Sequence, residues 1–167
     1  VIVQLENLGD SFAEGIDTHS GETRWQLPLE KDSAWNSPLV LRGKSPPEDL
    51  VLLQCRSRLL FLEPRTGKQV AAYDHWSDTV ASATTWNDTI YLPADGVRAL
   101  RLDRQSKQVQ LLWQSQRLRT SSASPVACDG RVYVLKSPGI LVCGDAAQGN
   151  VLWQVRMTGP IWATPVV

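Results

Sequence analysis

The residues of this chain that could do chemistry are few, and one closely spaced group stands out. Asp74, His75 and Asp78 combine carboxylate and imidazole groups, which are side chains that bind divalent cations such as zinc. They stand in a polar stretch, where such side chains are usually solvated. We therefore interpret them as surface residues, and we interpret His19, which lies in an earlier turn, in the same way.

The three cysteines do not form a redox or metal-binding motif. Cys55, Cys128 and Cys143 are too few and too irregularly spaced for a disulfide framework, and no C-x-x-C pair is present. Free cysteines are commonly buried and behave as small apolar side chains. We expect all three to be core thiols.

The composition argues against two classes of partner. With 17 basic and 17 acidic residues the formal net charge is zero, so the chain lacks the basic surface that binds nucleic acids and anionic membranes. No apolar run approaches the roughly 20 residues that span a bilayer, so no membrane insertion is expected. The first residue is Val1 and no leader precedes it, so we expect a processed or excised piece.

The acidic residues that recur along the chain indicate turns rather than catalysis. An acidic residue is followed four positions later by glycine at Asp17 and Gly21, Glu63 and Gly67, and Asp145 and Gly149. A carboxylate at this spacing can accept hydrogen bonds from turn amides, and glycine takes a positive φ that other residues avoid. A fourth place keeps Asp103 but has Lys107 or Gln108 where glycine is expected, which predicts a longer and looser turn.

These turns belong to an internal repeat with a period of about 40 residues. The positions that follow them are Trp25, Ala71, Trp113 and Trp153, at spacings of 46, 42 and 40 residues. A second series consists of Ser37, Ser82, Ser124 and Thr164, and the residue after each of them lies 12 or 13 positions beyond the first series. Because the two series keep the same register, the repeat is not a chance pattern.

Each repeat is predicted to be a sheet of four short strands. Residues 124–153 contain four apolar runs separated by Gly, Asp or Pro, which is typical of a β-meander. Evenly spaced strands of this kind predict a closed or repeated all-β architecture. The predicted fold class is all-β: a β-propeller of four-stranded antiparallel blades, with about four blade equivalents and about sixteen strands.

We predict one partial propeller domain over residues 1–167. Its repeats cover approximately residues 1–30, 31–75, 76–115 and 116–155, and residues 161–167 form a closing strand or begin a further blade. The opening residues align with the second strand of the other repeats. The first sheet is therefore predicted to have three strands of its own.

The motif A/G-x-D-x-x-x-G-x-x-x-W, followed by S/T-P-V-V and D-G-x-V-Y-V, resembles the pyrroloquinoline-quinone-like (PQQ-like) β-propeller repeat. Residues 144–153, 161–167 and 124–134 carry it most completely. Among the family's members the chain is similar to secreted bacterial PQQ-like repeat proteins and to the scaffold lipoprotein of the outer-membrane β-barrel assembly machinery. The family implies seven or eight blades, roughly 280 to 320 residues at this period. The chain is then a fragment of such a ring, a closed four-bladed ring, or half of an eight-bladed homodimer.

The resemblance also implies a structural role for three tryptophans. Trp25, Trp113 and Trp153 match the position that stacks on the turn of the adjacent repeat, and the matching turn residues are Asp17, Gly21, Gly67, Asp145 and Gly149. An indole at a blade edge supplies contact area, and its N–H needs an acceptor. Ala71 departs from the pattern, so we expect a weaker contact there or one filled by Tyr73.

An enzymatic interpretation follows from the cofactor after which the repeat is named. A quinoprotein dehydrogenase needs a quinone, a Ca²⁺ ion held by oxygen ligands, and a carboxylate base. The adjacent cysteine pair of that family is absent, and turns account for the recurrent acids. We therefore expect no catalytic, cofactor-binding or metal-binding residues. PQQ and Ca²⁺ are expected only if the chain is instead a fragment of a dehydrogenase.

Two further tryptophans form a candidate binding rim. Trp35 and Trp162 each stand three residues before a proline, Pro38 or Pro165, at which the first strand of a repeat is predicted to begin. The resemblance implies that this first strand lines the central channel of the propeller. With Asn36, Ser37 and Ser122 nearby, they would bind a protein or peptide, or a glycan. The alternative is that both indoles pack beneath the connecting loops.

The sequence thus predicts a non-catalytic, extracytoplasmic propeller module that acts as an interaction scaffold or sensor. The resemblance implies a periplasmic or extracellular location in a bacterial envelope. Two alternatives stay open, a fragment of a PQQ-dependent dehydrogenase and the sensor portion of a larger membrane receptor or kinase-related protein.

Overall fold

Antiparallel strands provide nearly all the regular structure in the computed structural model of the chain, which describes residues 1–159 and 161–167. Within those residues fifteen strands form four sheets, and Pro46–Glu48 forms a short 3-10 turn. The all-β prediction is confirmed. The described part of the chain contains no helix with the length and apolar character that crossing a membrane would require.

Each sheet is a meander in which consecutive strands pair. The first sheet has three strands, β1 (Ile2–Leu5), β2 (Phe12–Ile16) and β3 (Thr23–Pro28). The second contains β4 (Leu39–Leu41), β5 (Leu50–Gln54), β6 (Leu59–Leu62) and β7 (Gln69–Tyr73). The third contains β8 (Thr84–Trp86), β9 (Thr89–Ala94), β10 (Gly96–Asp103) and β11 (Gln108–Ser115). The fourth contains β12 (Val126–Cys128), β13 (Arg131–Lys136), β14 (Ile140–Asp145) and β15 (Val151–Arg156).

All four sheets share a register shift between their last two strands. The shift comes directly after the residue that faces the recurrent tryptophan position, which is Gly15 opposite Trp25, Phe61 opposite Ala71, Ala99 opposite Trp113 and Cys143 opposite Trp153. A bulge adds twist and re-aims the neighbouring side chains. The four positions are therefore equivalent in backbone structure as well as in sequence.

The chain divides into two compact units, Val1–Thr79 with the first two sheets and Val80–Val167 with the last two. Side chains of a strand alternate between its two faces, so every second residue can enter a core. In the first unit the core contains Ala13, Val51, Leu53, Leu60 and Leu62. In the second it contains Tyr91, Val97, Ala99, Leu118, Val132, Val134, Val142 and Ala146. The single domain over residues 1–167 stays a prediction.

The predicted sixteenth strand, residues 163–167, has no strand structure. A strand depends on a ladder of backbone hydrogen bonds to a neighbouring strand, and none of the strands among the described residues pairs with this segment. The hydrogen bond seen for this segment among the described residues uses a side chain: the Ser124 N–H donates to Thr164 Oγ1 at 3.1 Å.

The turn at Asp103 is not lengthened, contrary to the prediction. Lys107 occupies the position of the glycine with φ of 58°, and the Asp103 carboxylate accepts from the N–H groups of Gln105 and Ser106 at 2.9 and 3.2 Å. The additional residues of this repeat instead extend β10 and β11 to eight residues each. A lysine in the left-handed region is strained but accessible, so the five-residue turn is kept.

Candidate interaction site

Three acidic turns, residues 17–21, 63–67 and 145–149, have the same geometry. In each, the glycine N–H donates to the carbonyl of the acidic residue at 2.9 to 3.0 Å, and the glycine φ lies between 69° and 74°. Asp17 and Asp145 also accept two further turn amides each. The amides of Ser20 and His19, and then the guanidinium of Arg24, hold the pKa of the Asp17 carboxyl well below its usual range.

Trp25 lies on the turn formed by residues 63–67. Its indole Nε1–H donates to the Pro64 carbonyl at 3.0 Å. A Cβ placed on Gly67 would come within 2.5 Å of Trp25 Cε3, so the ring lies directly against the glycine. The contact requires both the positive φ and the missing side chain of Gly67.

Trp113 lies on residues 145–149 in the same way. Its Nε1–H donates to the Ala146 carbonyl at 3.0 Å, and a Cβ on Gly149 would come within 2.5 Å of Trp113 Cε3. Tyr91 lies beside it, with ring centroids 5.9 Å apart and its hydroxyl donating to the same carbonyl at 3.3 Å. We call the arrangement seen for Trp25 and Trp113 the Trp–turn contact.

Trp153 occupies the equivalent position in the fourth sheet but has no turn against it among the described residues. Its side chain is 44% exposed, and its ring contacts Tyr133 at a centroid distance of 6.0 Å. Gly21, in the first acidic turn, has nothing within 4 Å of the place where a Cβ would be. At Ala71, which lacks the indole, the nearby Tyr73 is buried and contacts the His75 ring at 4.4 Å.

The second sequence series forms hydrogen bonds between repeats in the unit Val80–Val167. The Ser82 N–H donates to Ser124 Oγ at 2.9 Å, and the Ser124 N–H donates to Thr164 Oγ1 at 3.1 Å. A hydroxyl at this point therefore joins the beginnings of successive repeats. This explains why Ser or Thr recurs at positions where the sequence alone indicated only a periodicity.

Of the predicted rim, Trp35, Asn36 and Ser37 lie in the unit Val1–Thr79. Trp35 is 71% exposed, and its backbone N–H donates to the Thr79 carbonyl at 2.7 Å. Asn36 is buried and Ser37 is exposed. The backbone at the rim is therefore held in place while the Trp35 indole extends into solvent.

The other two rim residues lie in the unit Val80–Val167. Trp162 is 76% exposed, and Ser122 is half-buried. Next to Ser122, the backbone is fixed by the Ser121 N–H, which donates to the Leu135 carbonyl at 3.1 Å. Both rim tryptophans thus expose most of their side chains rather than packing beneath loops.

Residues 1–159 and 161–167 bring together no group of three or more His, Cys, Asp or Glu side chains that could hold a metal ion. Asp74 pairs instead with Arg58, with 3.6 Å between Oδ1 and Nε. Cys55 and Cys143 are buried, and desolvation raises the pKa of both thiols, whereas Cys128 is half-buried.

Sequence reasoning missed a cleft of about 880 Å³ within the unit Val1–Thr79. Trp25 and three arginines line it. Arg24 pairs with Asp17 at 2.9 Å and Arg42 with Asp49 at 2.7 Å, and the third is Arg65. These residues come from separate strands and turns, so no local motif could have indicated the cleft.

The bulged sheets, and the Trp–turn contact inside each unit, are similar to those of β-propellers built from PQQ-like repeats. The resemblance to that family is confirmed. Residues 100–167 match the family model described as "Outer membrane protein assembly factor BamB". No curated protein sequence matches the chain.

Solved structures are similar to the chain in fold. BamB from Moraxella catarrhalis is 16% identical with a TM-score of 0.66, covering 93% of this chain and 51% of its own. Quinohemoprotein alcohol dehydrogenase from Comamonas testosteroni is 13% identical with a TM-score of 0.67, covering 95% of this chain and 36% of its own. The computationally designed Ika8 protein is 13% identical with a TM-score of 0.57, covering 96% and 50%. The chain thus spans about half the length of BamB and about a third of that dehydrogenase.

Proposed function

We propose that the chain is a non-catalytic, extracytoplasmic propeller module that binds a protein or peptide and acts as a scaffold or sensor. The observation that carries the proposal is the exposure of the two rim tryptophans, 71% for Trp35 and 76% for Trp162. Tryptophan is highly buried on average, and it is among the residues most enriched at the centre of protein interfaces. A glycan, which can also stack on indoles, is a second ligand class for the same rim.

The fold comparisons are compatible with this proposal. The family model that matches residues 100–167 is described as an outer membrane protein assembly factor, and BamB is among the proteins of similar fold. An extended peptide can be recognised by an edge of backbone groups with pockets for alternate side chains. We propose an extended segment of this kind as the partner, and a periplasmic or extracellular location as the place of binding.

The test selects peptides from a display library of random twelve-residue sequences and measures their affinity for four proteins. These are the unmodified chain, Trp35→Ala, Trp162→Ala, and a control, Leu8→Ala, which truncates a side chain that is 78% exposed but outside the rim. We expect binding to weaken at least about 30-fold in at least one of the two tryptophan variants, since interface tryptophans contribute about 2 kcal/mol or more. Unchanged binding in both variants, or equal weakening in Leu8→Ala, would contradict the proposal.

The second candidate is a fragment of a PQQ-dependent dehydrogenase. The observation that favours it is the fold similarity to the Comamonas testosteroni enzyme, with a TM-score of 0.67. The measurement is the melting temperature and the quinone absorbance of the chain after PQQ and Ca²⁺ are added. The scaffold proposal expects neither to change, and a saturable change in both would favour the dehydrogenase.

Location is tested separately from binding. The full reading frame that contains this chain is expressed in its bacterial host with a C-terminal epitope, and protease is added to spheroplasts. We expect digestion of the epitope-tagged protein while cytoplasmic markers stay intact. Full protection of the tag until the cells are lysed would contradict an extracytoplasmic location.

A further inference from the structure

The hairpin between β10 and β11 is longer than the corresponding hairpin of each other sheet. In those sheets one pair of residues lies between the bulge and the turn acid: Ile16 with Thr23, Leu62 with Gln69, and Gly144 with Val151. In the third sheet three pairs lie there: Leu100 with Leu111, Arg101 with Gln110, and Leu102 with Val109. A complete four-stranded sheet precedes this sheet in the chain and another follows it, so the longer hairpin is a property of this repeat itself.

The additional length forms a two-stranded ribbon, which we define as residues 101–110. Beyond Leu100, β10 pairs with β11 and no longer with β9 among the described residues. β11 is the last strand of its sheet, so within the described part of the chain no strand lies along its outer edge. The backbone N–H and C=O groups of such an edge are a template for a further strand.

The sequence of this edge contains nothing that would block pairing. Proteins commonly protect an exposed edge with charged residues, with proline or by keeping the strand short. β11 has eight residues, Gln108–Ser115, and none of them is charged or a proline. The outer strand of the first sheet, by comparison, contains Arg24 and Pro28. The outer edge of β11 is therefore open to a partner strand.

The ribbon has an apolar face and a positively charged face. Because side chains alternate along a strand, Leu102 and Val109 share one face, and Arg101 and Gln110 share the other. The ribbon contains three basic residues and one acidic residue, in a chain whose formal net charge is zero. The acidic residue is Asp103, whose carboxylate accepts hydrogen bonds from turn amides. A complementary strand would alternate apolar and acidic side chains.

We propose that an extended segment of another protein, with alternating apolar and acidic side chains, pairs with the outer edge of β11 along Gln108–Leu111. Its backbone continues the sheet, and its apolar side chains lie beside Val109 and Leu111, the second of which is 49% exposed. A second copy of this chain is a poorer partner, because edge-to-edge pairing brings two positively charged ribbons together. The site does not include the rim tryptophans and so goes beyond the proposed function.

The experiment titrates a fluorescent peptide of four alternating Val-Glu pairs with the 167-residue chain. The main variant deletes residues 101–102 and 109–110, which shortens the hairpin to the length found in the other sheets and keeps the turn at Asp103. We expect saturable binding to the unmodified chain. Binding to the deletion variant should be at least about tenfold weaker, because most of the edge that forms the ladder is removed.

The charge of the ribbon is tested with Arg101→Glu, which keeps the hairpin length. We expect about fivefold weaker binding, as for the loss of an exposed ion pair. Lys68→Glu is the matched control, since Lys68 is also exposed and directly follows the acidic turn of the second sheet. Trp35→Ala should bind the peptide normally. Failure at the edge of β11 is thereby distinguished from failure of the proposed rim.

Two further peptides distinguish strand pairing from attraction between charges. One has prolines in place of the central valines, which removes backbone N–H groups and keeps the charge, and the other has lysine in place of every glutamate. We expect neither to bind, and we expect the Val-Glu peptide to slow hydrogen exchange of backbone amides between Gln108 and Leu111. Equal binding by the deletion variant or by either control peptide, unchanged exchange, or no binding to the unmodified chain would overturn the inference. Dimerisation of the chain that the deletion abolishes would also overturn it, in favour of a second copy.

Discussion

Trp113 and Trp153 are the same residue at the same place in two neighbouring sheets, yet their surroundings differ. Both follow a bulge at equivalent register. Trp113 is half-buried and bonded to the Ala146 carbonyl, whereas Trp153 is 44% exposed. A sheet therefore positions its tryptophan without burying it, and the turn of another repeat completes the site. The contribution of this residue to stability depends on its neighbour and not on its own sheet.

The largest effect that separates the two environments is expected from truncating the indoles. Trp25→Ala and Trp113→Ala should each lower the free energy of unfolding by about 3 kcal/mol, because each removes a packed ring and the hydrogen bond that its indole donates to a turn carbonyl. Trp153→Ala should cost less than about 1 kcal/mol, since Trp153 is already 44% exposed and no turn lies against its ring among the described residues. Urea unfolding at a concentration where the chain is monomeric measures all three. Equal losses for Trp113 and Trp153 would contradict the comparison.

A smaller effect is expected from adding a Cβ to the glycines of the acidic turns. Gly67→Ala and Gly149→Ala place a methyl group 2.5 Å from an indole carbon and should destabilise by about 2 to 3 kcal/mol. Gly21→Ala meets no atom and should cost about 1 kcal/mol, the strain of a left-handed alanine alone. Thermal unfolding of the three variants provides the test. If Gly21→Ala were as destabilising as Gly67→Ala and Gly149→Ala, the strain of an alanine at positive φ, and not the contact with the indole ring, would account for the loss of stability.

The smallest effect concerns the turn carboxylates and pH. Hydrogen bonds from turn amides, and the Arg24 guanidinium, lower the pKa of Asp17, while the Ser106 hydroxyl and turn amides lower that of Asp103. A depressed pKa in the folded state contributes stability above the unfolded value near 3.8, and this stability is lost as the pH falls through the lower folded value. Asp17→Asn should therefore flatten the decline of the melting temperature below about pH 4. An unchanged decline would show that the Asp17 carboxylate does not contribute to it.

Local patterns in the sequence predicted the sheets and the acidic turns, because each depends on residues close together in the chain. The anchors Trp25 and Trp113 could be located from their period, but their acceptors are the carbonyls of Pro64 and Ala146. Every residue type has a backbone carbonyl, so the amino-acid sequence does not indicate which carbonyl accepts the hydrogen bond.

The incorrect predictions have a common cause. The local sequence is compatible with more than one structure, and contacts with other parts of the chain determine which one forms. The extra residues near Lys107 could enlarge a turn or lengthen two strands, and strand pairing across β10 and β11 decided the outcome. Residues 163–167 have strand-forming composition, but a strand forms only where another strand pairs with it. The cleft beside Trp25 is likewise made by residues from separate strands and turns.

Hydrogen exchange of the indole N–H groups tests the central claim, that a tryptophan at this position is completed by the turn of another repeat. The signals of Trp25, Trp113 and Trp153 are assigned with single Trp→Phe variants in ¹⁵N-labelled chain, and exchange is followed in dilute, monomeric protein. We expect Trp25 and Trp113 to be protected and Trp153 to exchange at the rate of a solvated indole. Protection of Trp153 in the monomer, or rapid exchange at Trp25 and Trp113, would contradict the account.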